Sequence, residues 1–504
     1  MQYFYVIFLQ IIFTKTGKIK QNERIVYEAC ILLVRIKRGG RLTLPARASM
    51  WYTVTSAAER GISFIFTPIF TRTLSPEEYG LYPLYVSYMS LFTILITLEL
   101  GGSVIYRALA RFKGSEDELI SSLLGVISVL FGAVLSVILI FPEYLSSITG
   151  LGSEILVFLA VQVLLNGILG LYVAKCRYLY EYRAVSLINL ALALLSPTLS
   201  LILIKFTRVR ATARIIAPLI VSALIVLPLA VRIVRQGKRL VSREILGFIF
   251  RVVLPLLPHF ISTAVIAQSG KIIVGRSFGE EALAKYSVVF SMGFVFSLIT
   301  VGINSALTPW VNRKLAEKNE DKIAATIDPL FSLFALMTLS GLCFSPEGLA
   351  FLAPREYGSA LGAIYPLSLS VLTGFLVTII NAMLLFYEKS HLISAASIIT
   401  AVINLLLGVT LTARYGYIAA ALVQLASSLI LFIITTLMLG GVSHKTVIRP
   451  YRQLGVITFS AVVSMLLYLL RHAFVSRMLI LLALFMLAIP IALECKSLII
   501  EKKV

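Results

Sequence analysis

The chain has 504 residues, 59% of them hydrophobic and 14% charged, with 45 Lys and Arg against 24 Asp and Glu for a formal net charge of +21. A mean hydropathy of +0.95 and so few charges, against roughly 25% in soluble domains, exclude a soluble catalytic domain as the body of the protein. The basic excess does not indicate nucleic-acid binding, because basic residues in short loops beside apolar spans set membrane topology.

Residues 1–49 read as a basic N-terminal extension. Residues 1–13 are apolar but too short to cross a bilayer, and Lys15, Lys18 and Lys20 follow the apolar stretch rather than precede it, the reverse of a signal peptide. This segment is expected to be either a membrane-surface anchor or an upstream extension ahead of a start at Met50. From residue 51 the chain runs through stretches of the ~20 apolar residues that a spanning helix needs. They lie at 51–71, 79–100, 120–141, 153–174, 184–204, 213–234, 246–268, 284–307, 328–346, 359–386, 391–412, 417–440, 452–470 and 474–495, about fourteen in all. Pro83, Pro197, Pro228, Pro255, Pro258 and Pro366 fall inside spans, as membrane helices allow.

Basic residues concentrate in alternate loops, among them Arg107, Arg111 and Lys113, then Lys175, Arg177 and Arg183, then Arg313, Lys314 and Lys318. These loops are expected to face the cytoplasm, with both termini there too, and the loop at 142–152, which has no basic residue, to face outside. Two groups dissent: Lys205, Arg208, Arg210 and Arg214, and Lys271, Arg276 and Lys285. Either the span boundaries are shifted, the preferred reading for the first group, or these cations serve an anionic substrate. Cys30, Cys176, Cys343 and Cys495 have neither metal-ligand spacing nor a disulfide pattern, so no metal or cofactor is expected.

The chain repeats itself. TRTLSPEEYGLYPLY follows the first span and GRSFGEEALAKYSVVF follows the seventh; aligned at Arg72 and Arg276, they pair Leu74 with Phe278, Ser75 with Gly279, Glu77 with Glu281, Gly80 with Ala284 and Tyr82 with Tyr286. Such duplication is common in secondary transporters, with the substrate site between the halves.

These segments, together with PLLPH at 255–259, QSGKIIVGRSFGEEALAKYSVVF and INSALTPWVNRKLAEK, resemble the Wzx-type oligosaccharide flippases. These form the polysaccharide transporter branch of the multidrug/oligosaccharidyl-lipid/polysaccharide exporter superfamily. The resemblance runs from Met50 to the C-terminus. It implies an all-α, polytopic, MATE-like V: one six-helix bundle over 50–240, a pseudo-symmetric second over 241–440, and two further helices with a tail over 441–504. The implied function is flipping of a polyprenyl-diphosphate-linked oligosaccharide across the cytoplasmic membrane by alternating access, for cell-surface polysaccharide biosynthesis. Membrane lipid and the cargo are the implied partners, with glycan polymerisation enzymes alongside. Family members often carry an aspartate-arginine pair after the amide of the seventh span, where this chain has Gly270 and Lys271 after Gln268, so coupling through that acid is in doubt.

Ionisable residues within spans cost at least ~2.5 kcal/mol to insert and are functional candidates by default. Arg60 is a candidate for the cargo's diphosphate or an acidic sugar, with a structural ion pair as the other reading. Glu99, ending the second span, is a coupling candidate or a solvated helix end. His259 beside Pro258 could titrate, bond a sugar hydroxyl, or simply pack against a neighbouring carbonyl. Among the intramembrane amides Asn166, Gln268 and Asn304 are the foremost cavity candidates, although such amides also bond helix to helix. Lys271 and Arg276 could attract the diphosphate, arginine through its two-pronged donor fork, or Arg72 and Arg276 could cap equivalent helix ends.

The rival classes fare worse. A nucleotide-driven pump needs a P-loop, and none occurs. A membrane polymerase or ligase needs clustered acids or histidines in an outer loop, whereas Glu116, Asp117, Glu118, Glu317, Glu320 and Asp321 lie in predicted cytoplasmic connections among basic residues. A lipid II flippase or an ion-coupled multidrug antiporter of the same superfamily remains the alternative; an antiporter for organic cations favours embedded acids, and here the embedded charge is mostly basic.

Overall fold

The computed structural model describes residues 44–237, 239, 241–443 and 448–500. Most of the N-terminal extension lies outside these residues. Among those described, every regular element is helical.

Helix α1 (Leu44–Thr73) begins ahead of Met50, so the expected boundary at 49/50 falls within a helix. A sharp turn at Leu74 leads into α2 (Pro76–Thr97), whose start is written in the sequence: Glu78 N–H donates to Ser75 Oγ at 3.2 Å and Ser75 N–H to Glu78 Oε2 at 3.0 Å, with Pro76 at the first helical position. The first half continues as α3 (Ser103–Arg111), α4 (Glu116–Ile140), the short α5 (Pro142–Thr149), α6 (Ser153–Tyr178), α7 (Tyr182–Phe206) and α8 (Arg210–Gly237). Helices α1, α2, α4, α6, α7 and α8 pack on one another.

The amphipathic α9 (Arg243–Val253) and a short 3-10 turn lead into α10 (Leu257–Phe294). This run holds two helices joined at Gly279, whose φ of 82° and ψ of 178° are confined in practice to glycine. Gly279 aligns with Ser75, so both halves turn from one helix to the next at repeat-related positions. Then follow α11 (Ser297–Ala316), α12 (Glu320–Leu342), the short α13 (Ser345–Leu352), a 3-10 segment Arg355–Ala363, α14 (Ile364–Phe386), α15 (Ser390–Leu407) and α16 (Tyr417–Val442). These form the second bundle, and α17 (Pro450–Leu469) and α18 (Phe474–Ile500) pack outside it on α12.

Among the described residues, twelve helices are long and apolar enough to cross a membrane by length and composition. The expected fourteen are not confirmed by that criterion. One of the twelve is a continuous 62-residue run, Arg243–Asn304, that covers the seventh and eighth expected spans, and α1, 30 residues long, falls outside the set. Glu59, Arg60 and Arg72 are charged residues within α1. The expected span starting at 213 begins three residues earlier, at Arg210, so Arg214 lies inside a helix rather than in a loop.

Candidate functional site

The two bundles meet along α2 and α10, the most extensive helix pairing in the molecule. Gly80 makes this possible: a Cβ there would lie 1.9 Å from the Glu280 carbonyl oxygen. Around the crossing, four side-chain hydrogen bonds join the bundles. Thr71 Oγ1 donates to Leu352 O at 2.7 Å, Arg72 Nη2 to Ala350 O and Phe351 O at 3.2 and 3.1 Å, and Arg276 Nη2 to Ser147 O at 2.6 Å. Phe64 stacks on Phe351 at 5.9 Å and Tyr79 meets Tyr357 edge-on at 6.4 Å.

The two arginine contacts are repeat-related. Arg72 and Arg276 align in sequence, and each reaches a short helix of the opposite bundle, α13 or α5. Phe351 and Ser147 both lie five residues beyond the proline that opens that helix, Pro346 or Pro142, and each proline is followed by a glutamate. This pseudo-two-fold pair of contacts gathers at the end of the molecule expected to face outside.

Beneath this seal, Thr53, Ser56, Arg60, Ser63 and Thr67 recur on α1 at spacings of three and four, which places them on one helix face. Arg60 is exposed on that face. Glu59, Ser63 and Thr67 open into a cavity of about 320 Å³ inside the first bundle, with Ser196 and Ser200 of α7 and Arg214 of α8. Arg214 is 8% exposed. Its guanidinium lies 4.4, 4.2 and 4.4 Å from the ring centres of Phe70, Tyr79 and Tyr82, a cation held by ring quadrupoles. Arg214 Nη1 and Glu59 Oε1 are buried without hydrogen bonds, so one cation and one carboxylate face this cavity with unused capacity.

The other expected site residues are distributed through the bundles. Asn166 Oδ1 accepts from Gln162 Nε2 at 2.9 Å, and Gln162 also donates to Ser222 Oγ at 3.1 Å, tying α6 to α8. His259 Nδ1 and Ser397 Oγ are 3.0 Å apart, tying α10 to α15. Gln268 Oε1 accepts from Lys271 Nζ at 3.4 Å, and the same ammonium lies 3.9 Å from the Phe290 ring centre. Asn304 is 9% exposed, with Oδ1 free of hydrogen bonds. Arg276 belongs to the seal. Glu99 lies past the end of α2, where Leu98 and Glu99 adopt left-handed φ of 49° and 55°, and burial pushes its carboxyl above the usual range. Gln268 and Lys271 therefore touch, while the others engage separate neighbours or, like Arg60, are exposed.

Sequence reasoning missed Glu59 and the Arg477–Glu347 pair, and it put Arg214 in a dissenting basic loop, with a shifted span boundary as the preferred reading. Arg214 was visible as a cation among apolar residues one turn into a span, yet its three rings come from two other helices. Arg477, 2% exposed, donates to both oxygens of Glu347 at 2.5 and 2.7 Å, pinning α18 to α13. That bond holds the Glu347 carboxyl below the usual carboxylate range. The acids weighed for catalysis are partly ion-paired, Asp117 with Lys175 at 2.5 Å and Glu118 with Arg239 at 3.7 Å, and among the described residues no group of three His, Cys, Asp or Glu could hold a metal.

Apolar helices long enough to span, gathered in two bundles fastened to each other at one end, define a multi-pass membrane protein. The chain belongs to the family described as polysaccharide biosynthesis protein, whose family model matches residues 46–315. It is 21% identical over 374 residues to a protein of the Lsg locus of Haemophilus influenzae, spanning 72% of this chain and 90% of that one. Its fold is similar to that of the lipid II flippase MurJ in an inward closed conformation, with a TM-score of 0.66 and 14% identity over 87% of this chain and 98% of that one. It is also similar to an inward-facing multidrug resistance MATE family transporter of the MOP superfamily, with a TM-score of 0.58 and 16% identity over 76% of this chain and 95% of that one.

Proposed function

We propose that this protein flips a polyprenyl-diphosphate-linked oligosaccharide from the cytoplasmic to the outer leaflet of the cell membrane, with both termini cytoplasmic, for surface polysaccharide assembly. The observation that carries the reading is the pair of repeat-related arginines that donate to backbone carbonyls of the opposite bundle. Carbonyl partners let the seal break without stranding a buried counter-charge, which a cross-bundle ion pair would do. With this end closed, cargo enters from the cytoplasmic side. Arg60 receives its anionic head, and the hydroxyls of Ser63 and Thr67 and the carboxylate of Glu59 face its sugars. Asn166, Gln268 and Lys271 act mainly by holding helices in register, Asn304 keeps a free amide oxygen, and Glu99 remains the coupling candidate at the opposite end. Glycan polymerisation enzymes receive the flipped product.

The test is leaflet accessibility in liposomes. Protein-dependent exposure of an inner-leaflet polyprenyl-diphosphate oligosaccharide to an impermeant glycan-modifying enzyme supports the proposal. No exposure across several glycans and both ion gradients overturns it in favour of an antiporter.

A further inference from the structure

The cavity inside the first bundle carries one charge at each end. Glu59 and Phe70 both line it, and they stand eleven residues apart on α1, about 16 Å along a helix axis. Arg214 sits on Phe70, 4.4 Å from its ring centre. The carboxylate and the guanidinium therefore occupy opposite ends of the cavity and do not neutralise each other. Between them the wall offers the hydroxyls of Ser63, Thr67 and Ser196. Ser63 is exposed on the same face of α1 as Arg60, which gives the cavity a mouth on that face.

Arg214 lacks an acceptor. The rings of Phe70, Tyr79 and Tyr82 hold its charge, yet Nη1 stays buried without a hydrogen bond. Among the described residues no carboxylate pairs with it, although the side chain is 92% withdrawn from solvent, being 8% exposed. It is also the single cation among the residues lining the cavity. One guanidinium matches one carboxylate, whose two oxygens fit its planar fork. A phosphate dianion brings a second buried charge that has no partner here. The volume, about 320 Å³, is at the lower bound of ligand pockets, roughly 300 to 1,000 Å³, and suits a short saccharide.

We propose that this cavity selects cargo whose oligosaccharide carries a carboxylated sugar of the uronic-acid type. The inference rests on the flippase reading and names the sugar class for it. With the diphosphate at Arg60, the sugar next to it donates hydroxyls to Glu59. The following sugar passes Ser63 and Thr67, and its carboxylate accepts from Arg214. A neutral sugar of the same shape fills the same space but leaves the guanidinium without an acceptor. A free carboxylate satisfies Arg214 but brings no hydroxyl to Glu59.

The test reads binding first and flipping second. Detergent-solubilised protein is titrated with cellobiouronic acid, with its neutral parent cellobiose and with sodium acetate, and each Kd is taken from the rise of the thermal midpoint with concentration. The acidic disaccharide is expected to bind about tenfold tighter than cellobiose, the difference one charge-assisted hydrogen bond makes, and acetate to bind more weakly than the acidic disaccharide. Arg214→Gln is expected to bring the two disaccharides level. Equal binding of the two by the unaltered protein overturns the proposal whether or not the variant folds. Acetate binding as tightly as the acidic disaccharide overturns it too, as does a tenfold preference that survives in Arg214→Gln. The same two disaccharides on polyprenyl diphosphate are then offered in liposomes, where the acidic cargo is expected to flip faster. A binding preference with neither cargo flipped overturns the flippase reading and leaves the acidic-sugar site standing. Both cargoes flipped at one rate, with no preference in binding, does the reverse.

Discussion

Arg72 and Arg276 each turn a surface cation into a fastener across the molecular seam. Arg72→Ala removes donors to Ala350 and Phe351, a loss of about 1–3 kcal/mol. In a two-state equilibrium that shifts the balance toward an open outer end by roughly tenfold or more. In a cysteine-free background, the labelling rate of a cysteine at position 71 by an impermeant maleimide should rise accordingly, and an unchanged rate would remove Arg72 from the seal. Arg60 is a different case. It is exposed on a polar helix face, so Arg60→Ala should abolish flipping while the protein reaches the membrane in near-normal amount. Loss of protein together with activity would show that the arginine supports the fold. His259 has Ser397 as a partner for one ring nitrogen.

At the scale of elements, α2 and α10 cross where a side chain has no room. Gly80→Ala places a methyl against the Glu280 carbonyl, so the helices must separate, and thermal unfolding should show a loss of about 1–3 kcal/mol, as overpacking does. A midpoint equal to that of the unaltered protein would mean the crossing is looser than its geometry. The short helices α5 and α13 are equivalent seats for the arginines, but α13 alone is pinned to an additional helix, through Glu347 and Arg477. Removing the carboxylate by Glu347→Gln should cost about 2 kcal/mol. Because the folded carboxyl titrates below its ordinary value, the contribution is fully present above the unfolded carboxylate pKa and is lost as pH falls through the folded one. The midpoint difference between the unaltered protein and Glu347→Gln should therefore stay constant from about pH 6 to 8 and shrink below about pH 4. A difference that grows toward acid would contradict the pairing.

On the scale of the whole molecule, one closed end implies alternation. Cysteines at positions 71 and 350, joined by a short reversible bifunctional thiol reagent, should arrest flipping, and reductant should restore it; undiminished flipping in the cross-linked protein would rule out opening at this seam. Membrane residence, helix content, the duplication and the family were legible in the sequence because they depend on local quantities: apolar run length, turn chemistry such as the Ser75–Glu78 capping box, and motif spacing. The register of Arg72 with Arg276 was legible too, but not what either residue holds, since their partners lie 278, 279 and 129 residues away. The tertiary structure alone decided that Arg214 rests among rings from two other helices and that Glu59 rather than Arg60 lines the first-bundle cavity. Those facts depend on how distant helices rotate and approach, which is set by packing summed over the whole bundle and has no signature in any single stretch of chain.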